Sequence, residues 1–383
     1  MILGSATPSV ESYKKAMSGE FRLWTMDERV SDRKMADTSI VDLREELRRG
    51  NRSIISDELA EDITDRLSRH EQIMLFINKR GFNSFVSCRN CGEVVKCPHC
   101  DVSMTKHMAS NGGKLVCHYC GYTQPMPKLC PKCGSKYILG FKAGTQQIED
   151  KLKELYPGVR TLRMDADTTR TKDSYEKILS AFANGEVDVL IGTQMIVKGH
   201  DFPKVTLVGI LAADLSLNAS DYRAGERTFQ LLTQAVGRAG RGVLPGEAVI
   251  QTYQPDHYAI TCAAAQDYKS FYEEEILYRE LSGYPPVAHM LAVQIYGKEE
   301  ENVKQLARRL TDVVKSNMDF LQILGPTPAN ISKINDIYRY VFYAKHAEYD
   351  TLVEVKDCVE ETLRQWQPRQ LSIQFDFDPV NVL

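Results

Sequence analysis

Asp188-Val189-Leu190-Ile191-Gly192-Thr193 is a short apolar run closed by glycine, after which the chain turns through Gln194-Met195-Ile196-Val197-Lys198-Gly199-His200-Asp201. A run of this length ending in glycine reads as a buried strand feeding a polar loop. A second apolar run, Val205 to Ala213, closes on Asp214. Glu226 to Gln234 has helical spacing and ends in Gln234-Ala235-Val236-Gly237-Arg238-Ala239-Gly240-Arg241. Arg238 and Arg241 can reach one anion together, because each guanidinium stays charged and offers a planar fork of donors. That suits the terminal phosphate of a nucleotide held across an interface, where arginines stabilise the charge that develops during hydrolysis. The plainer alternative is a helix end whose arginines complement the negative pole of the helix dipole.

The order of these pieces, strand with Gly-Thr, Lys-Gly-His-Asp loop, second strand ending in Asp, helix, then Gln-x-x-Gly-Arg-x-Gly-Arg, resembles motifs five and six in the second motor lobe of superfamily two helicases. Gly4-Ser5-Ala6-Thr7-Pro8-Ser9 resembles their motif three, and Asn78-Lys79-Arg80-Gly81-Phe82 resembles motif four, although alone the latter would read as a basic surface turn. The loop Gly192 to Pro203, with eight cysteines set between the motor strands, is similar to the PriA family of primosomal replication-restart helicases. The likeness runs from Ser5 to Leu383 and includes Asp165-Ala166-Asp167-Thr168-Thr169. It departs at Lys142-Ala143-Gly144-Thr145-Gln146, where the family has Gly-x-Gly-Thr-Glu.

The resemblance implies a RecA-like second helicase lobe, an α/β fold with a parallel sheet, carrying an inserted two-zinc module and followed by a C-terminal α/β sandwich. It implies the C-terminal part of an ATP-dependent 3′–5′ DNA helicase that restarts stalled forks and assembles the primosome, using ATP and Mg2+ in the complete enzyme. Arg238 and Arg241 would be its transition-state arginines, and Gln234, Gly199 and Asp201 would face the nucleotide. Thr7, Thr193, Lys79 and Arg80 would contact DNA or couple the lobes. The implied partners are forked or single-stranded DNA, other primosome proteins, single-stranded-DNA-binding protein and the loader of the replicative helicase. A non-enzymatic, zinc-dependent scaffold derived from a helicase is the alternative, and the retained arginines and the whole Gly192–Pro203 loop weigh against it.

At 383 residues with 43% hydrophobic content the chain is long enough for two or three ordinary cores. Its longest apolar run falls far short of the ~20 residues that span a bilayer, and no basic segment with a signal-type core follows Met1, so a cytoplasmic chain is expected. Net charge is only -3, so contacts to nucleic acid must come from local patches. Gly113-Lys114 and Gly297-Lys298 are not followed by Ser or Thr, and Asp27-Glu28 and Asp57-Glu58 lack the His or Asp expected two positions on. The phosphate-cradling Walker loop and the acidic magnesium motif are therefore missing from this sequence, which predicts negligible ATP hydrolysis by the chain alone.

Reading along the chain, Met1-Ile2-Leu3 runs into Gly4 as an apolar strand in search of partners. Residues 1–70 read as the end of a first lobe and a charged bridge, with a capped helix from Ser56 to Leu67. Residues 71–262 form the second lobe, with strands at Gln72–Ile77 and Thr161–Asp165, and Tyr137–Phe141 is expected to resume its sheet after an insert at 86–137. Residues 263–383 begin with a charged helix, Ala263 to Leu281, and a Gly283-Tyr284-Pro285-Pro286 boundary, then read strand, helix, strand, strand, helix, strand. This last unit is expected to pack on the motor without chemistry of its own.

Cysteines fall at 88, 91, 97, 100, 117, 120, 130 and 133, four Cys-x-x-Cys pairs in succession. Disulfides do not suit a chain without a secretory signal, and redox sites use one such pair rather than four. Two structural Zn2+ ions, each in a closed four-thiolate tetrahedron, fit the spacing. Spacing does not fix the pairing; the family resemblance implies Cys88, Cys91, Cys130 and Cys133 on one ion and Cys97, Cys100, Cys117 and Cys120 on the other. His99, His107 and His118 are then bystanders. So short an aliphatic-poor segment is expected to draw most of its folding energy from metal. From Lys79 to Lys142, ten Lys and Arg against Glu93 and Asp101 give a formal +8, or +4 once each zinc site is counted as -2. With Phe82, Phe85, Tyr119, Tyr122 and Tyr137 interleaved, the segment suits phosphates and unpaired bases, though solvated lysines around an ordinary zinc fold explain the charge nearly as well.

Overall fold

The computed structural model describes the chain except residues 27–34, 78–85, 101, 108–113, 141–143, 166–167, 170–171, 197–201, 219–220, 243, 319, 367–369 and 381–383, and except the side chains of 107, 139, 140, 172 and 173. Helix α1 (Val10–Met17) is followed by β1 (Asp37–Asp42), α2 (Leu43–Arg48), α3 (Asp57–Ser68) and β2 (Gln72–Ile77). An insert then supplies β3 (Val86–Cys88), β4 (Thr105–His107), β5 (Lys114–Val116), β6 (Thr123–Pro125) and β7 (Ile138–Gly140). The lobe resumes with α4 (Thr145–Leu155), β8 (Thr161–Met164), α5 (Lys172–Asn184), β9 (Val189–Gly192), β10 (Val205–Leu211), α6 (Asp214–Leu217), α7 (Ala224–Val236) and β11 (Glu247–Thr252).

Six strands form a parallel sheet in the order β1-β11-β10-β2-β9-β8. Every residue of β2 and β10 is buried, as a parallel strand covered on both faces requires, and this is why both are legible as continuous apolar runs. One face carries Val10, Phe182, Phe229, Leu232, Ile260 and Phe271 from five helices; the other carries Leu59 and Ile63 of α3 and Ile148 and Leu152 of α4. Helix α3 starts where Ser56 Oγ accepts from Leu59 N at 3.2 Å, matching the expected cap. Residues 37–68, read above as part of a bridge, supply this sheet with an edge strand and a packed helix.

The apolar strand expected where Met1-Ile2-Leu3 runs into Gly4 does not form. Met1, Ile2 and Leu3 are exposed and pair with no strand among the described residues, and only near Thr7 does the segment bury itself, against α7. The expected return of Tyr137–Phe141 to the motor sheet is likewise corrected: β7 pairs antiparallel with β3, Val86 opposite Gly140, and closes the stem of the insert. A three-stranded sheet β4-β5-β6 forms beside it.

The single helix expected over Ala263–Leu281 is two, α8 (Tyr258–Ala264) and α9 (Tyr268–Ser282). Gln266 takes φ 52° and Asp267 caps a fresh helix by accepting from Ser270 N at 3.0 Å, a local alternative that outcompetes continuation. The α8 cap is His257, whose Nδ1 accepts from Ala259 N at 3.2 Å. Burial, with a smaller push from Lys96, lowers its pKa to about 4, so below its ordinary 6.5 the unfolded chain takes up a proton that the folded chain refuses. Stability should therefore be full above pH 6.5 and fall by about 3 kcal/mol toward pH 4. Urea titrations across that window are expected to show a shallower decline for His257→Asn, which keeps a capping oxygen.

The last unit is β12 (His289–Gly297), α10 (Glu300–Asn317), β13 (Gln322–Ile334), β14 (Ile337–His346), α11 (Tyr349–Trp366) and β15 (Leu371–Phe377), the order expected. Its antiparallel sheet, β13-β14-β12-β15, has α10 and α11 on one face. Alternation splits β12 and β14: Leu291, Val293, Ile295, Tyr340, Phe342 and Ala344 face the helices. Met290, Ala292, Val341 and Tyr343 point the other way, into a core shared with the cysteine-rich insert.

Candidate functional site

Helix α7 delivers the two arginines. It ends at Gly237, and Arg238 and Ala239 continue in a tight turn, donating to Ala235 O at 2.9 Å and Val236 O at 3.1 Å. Gly240 then takes φ 69°, and a Cβ there would collide with the backbone of Gly246. Its N–H donates to Val205 O at 3.0 Å, at the start of β10, while Gly242 lies so close to the Pro203 carbonyl that a side chain would not fit. Arg241 Nε donates back to Gly237 O at 2.7 Å. Both arginines are half-buried, on a turn held from two sides.

That turn meets one end of the Gly192–Pro203 loop. Thr193 sits at the other, where its N–H donates to Met164 O at 3.3 Å beyond β9. Because β9 and β10 run parallel, Thr193 lies at the ends of the strands and Pro203 at their beginnings, and the arginine turn meets Pro203 rather than Thr193. Thr7 does join α7: its carbonyl accepts from Gln230 Nε2 at 3.4 Å, one helical turn before Gln234. Lys79, Arg80, Gly199 and Asp201 lie outside the described residues.

A buried ionic joint, missed in the sequence, fixes α7 to its surroundings. Arg279 of α9 is fully buried; it meets Glu275 at 2.6 Å and Glu226 of α7 at 3.0 Å, donates to Pro285 O at 2.6 Å and lies over the Tyr222 ring. Glu226 also accepts from Val10 N at 3.1 Å, and Arg223 pairs with Glu11 at 2.8 Å. Burial raises the Glu226 carboxyl above its usual range. Burial alone would lower Arg279, and Glu275 and Glu226 more than reverse it. The joint ties α1, α7, α9 and the start of the C-terminal unit together. Its one local signature is the Glu275/Arg279 i,i+4 pair, which resembles a solvated helix face.

The eight cysteines gather into two groups, Cys88, Cys91, Cys130 and Cys133 (the outer cluster) and Cys97, Cys100, Cys117 and Cys120 (the inner), each with its sulfurs within 4.8 Å of one another. This is the nested pairing. Sulfurs of Cys88 and Cys133, Cys91 and Cys130, and Cys97 and Cys120 stand 3.6 Å apart. That is too long for a disulfide at ~2.05 Å and close to the roughly 3.8 Å edge of a tetrahedron with ~2.3 Å metal–sulfur bonds. The first cysteine of each pair donates its N–H to the carbonyl five residues on, at Glu93, Val102, Tyr122 and Ser135, so four copies of one knuckle build both clusters. Asp214, buried at the start of α6, accepts from Tyr253 N at 3.0 Å and so ties α6 to the end of β11 within the lobe.

Two expectations for the insert change. Tyr119 is wholly buried, stacked on Tyr343 at 5.2 Å, and so is not available to bases, whereas Tyr137 remains 46% exposed. Nor does the insert lack a core: Val86, Val95, Met104, Leu115 and Ile138 share one with Tyr222, Tyr284 and the C-terminal sheet. His99 and His118 belong to neither cluster, and the side chain of His107 is not described. No described helix is long and apolar enough to cross a membrane.

Family models match the chain over three stretches: the PriA DNA helicase Cys-rich region domain at residues 97–125, the helicase conserved C-terminal domain at 129–243, and the primosomal protein N C-terminal domain at 280–380. Replication restart protein PriA of Bacillus subtilis (strain 168) is 45% identical over 381 residues, covering 99% of this chain and 47% of that protein. Its counterpart in Synechocystis is 39% identical over 389 residues, covering 100% and 46%. Among solved structures, RecG bound to a three-way DNA junction aligns at a TM-score of 0.36 and 16% identity over 71% of this chain and 26% of that one. The chain spans about half the length of the curated relatives it matches.

The parallel sheet, the arginine turn and the cysteine-rich insert define the C-terminal lobe of a helicase. Within that class the chain belongs to the PriA family, whose C-terminal half it matches.

Proposed function

We propose that this chain is the C-terminal part of an ATP-dependent 3′–5′ DNA helicase that restarts stalled replication forks and assembles the primosome in the cytoplasm. The observation that carries the reading is the arginine turn, locked through Gly242 onto Pro203 at the end of the Gly192–Pro203 loop and through Gly240 onto Val205 at the start of β10. A turn so fixed presents Arg238 and Arg241 without a large ordering cost when charge develops on a transferring phosphoryl group. Gln234, Gly199 and Asp201 would line the nucleotide side, and Thr7, Thr193, Lys79 and Arg80 the DNA or lobe-coupling side. ATP and Mg2+ would be gripped by a first lobe whose Walker and acidic motifs this sequence lacks. Forked or single-stranded DNA, single-stranded-DNA-binding protein and the loader of the replicative helicase would be its partners.

Two Zn2+ ions fit the cysteine clusters, because eight thiol donors and, among the described residues, no histidine or carboxylate make two closed, soft sites. Bound there, zinc supplies folding energy rather than an open catalytic position. The cysteines hold the insert in shape, and the arginines and their loop carry the chemistry.

With ATP, Mg2+ and forked DNA, the purified chain is expected to release negligible phosphate. Joined behind the N-terminal half of the Bacillus subtilis relative, it should hydrolyse ATP, with Arg241→Ala lowering kcat about 10³-fold. Turnover by the chain alone that Arg241→Ala abolishes would overturn this reading. DNA binding by the joined protein without turnover would favour the scaffold.

A further inference from the structure

The two clusters sit against different parts of the molecule. At the outer cluster, the Arg89 guanidinium lies 4.6 Å over the Tyr253 ring, and Gly92, at φ 76°, presses on the Tyr253 carbonyl where a Cβ would collide. Tyr253 directly follows β11, so this contact is with the helicase lobe. Cys133 is exposed and Cys91 half-buried.

The inner cluster faces the C-terminal unit. Tyr119, between Cys117 and Cys120, stacks on Tyr343 of β14 and meets Tyr284 edge-on at 6.2 Å. Its hydroxyl accepts from Tyr222 N at 3.4 Å, so one ring bridges the lobe and the C-terminal sheet. Gly121 packs on Thr327, and the Tyr284 hydroxyl donates to Cys100 O at 3.3 Å.

Four thiolates on a divalent ion leave a net charge of -2, here among buried apolar groups. Such a charge needs compensation nearby. Lys345 of β14 is 5% exposed, and its Nζ donates to Ser282 O at 2.7 Å and lies 3.9 Å from the centre of the Tyr284 ring. Among the described residues no carboxylate reaches it within ion-pair distance. A buried ammonium with no carboxylate partner among the described residues thus lies over the ring whose hydroxyl donates to the Cys100 carbonyl, beside the inner cluster.

We propose that the inner cluster is a metal-dependent latch holding the C-terminal domain against the helicase lobe, with Lys345 as its countercharge, while the outer cluster only pins the insert to the lobe. The proposal rests on zinc occupying both clusters, which native mass spectrometry of the whole chain checks separately: fewer than two Zn2+ per chain defeats that assignment.

Zinc release into a colorimetric chelator should then show two phases. Lys345→Met is expected to speed one phase by about 10–100-fold and leave the other alone, as loss of a group supporting metal ligands does. Cys133→Ser should remove the unaffected phase. Limited proteolysis should find residues 283–288 opened by Cys120→Ser but not by Cys133→Ser. The latch is overturned if Lys345→Met leaves both phases unchanged, or if Cys133→Ser opens 283–288 as much as Cys120→Ser does. Should Cys120→Ser fail to fold, the Lys345→Met kinetics decide alone.

Discussion

Arg279→Ala is expected to lower the unfolding free energy of the chain by about 3–5 kcal/mol, read as a fall in urea midpoint without a matching change in slope. The size follows from what stays behind. Glu275 and Glu226 keep their burial and lose their shared cation, while Pro285 O loses a donor. The triple variant Glu226→Gln, Glu275→Gln, Arg279→Met should recover much of the loss, because removing all the charges avoids stranding any of them. A loss under 1 kcal/mol for Arg279→Ala would mean that water reaches the joint. A sizeable loss would also reach α1 and the arginine turn, since Glu226 accepts from Val10 N on the helix that ends at Gly237.

Metal removal should have a larger effect still. Dialysis against a strong chelator at neutral pH is expected to unfold the insert, at about 10–16 kcal/mol per site. Because Leu115, Met104 and Tyr119 share a core with Tyr284, Met290 and Tyr343, loss of order should extend past residue 140 into the C-terminal sheet. Hydrogen exchange would show it as lost protection in β12 and β14 alongside β3–β7. Retained protection in β14 of the metal-free chain would show that the C-terminal unit stands without its neighbour.

Much of the fold was legible because the signals are local. β2 and β10 are continuous apolar runs covered on both faces, Ser56 announces α3, and four Cys-x-x-Cys pairs write the same knuckle four times. The break between α8 and α9 was legible too, in Asp267 and Ser270 three apart, but a long charged helix outweighed it. β7 was misplaced because a strand of three residues carries no mark of which sheet receives it.

The residues of the candidate site stood out in the sequence, but their grouping did not. Arg238, Arg241 and the cysteines stand out by type and spacing. That the arginine turn meets Pro203 and not Thr193 depends on strand order, and the cluster pairing depends on how the stem folds back. The joint at Arg279 joins residues 53 apart at Glu226, and Val10 reaches Glu226 across 216 positions. No window on the sequence spans such distances. Tyr119 misled for a related reason: an aromatic among lysines looks the same whether it awaits a base or a neighbouring domain.

The two-sided burial of β12 and β14 bears on how the molecule behaves when it is divided. A fragment beginning at Gly283 would have α10 and α11 to cover one face of its sheet and nothing to cover Met290, Ala292, Val341 and Tyr343 on the other. A bare apolar face on a sheet is an aggregation surface. Such a fragment would precipitate or self-associate at concentrations where the undivided chain stays dispersed, and its solubility would be restored by polar residues at those four positions rather than by changes at its rim.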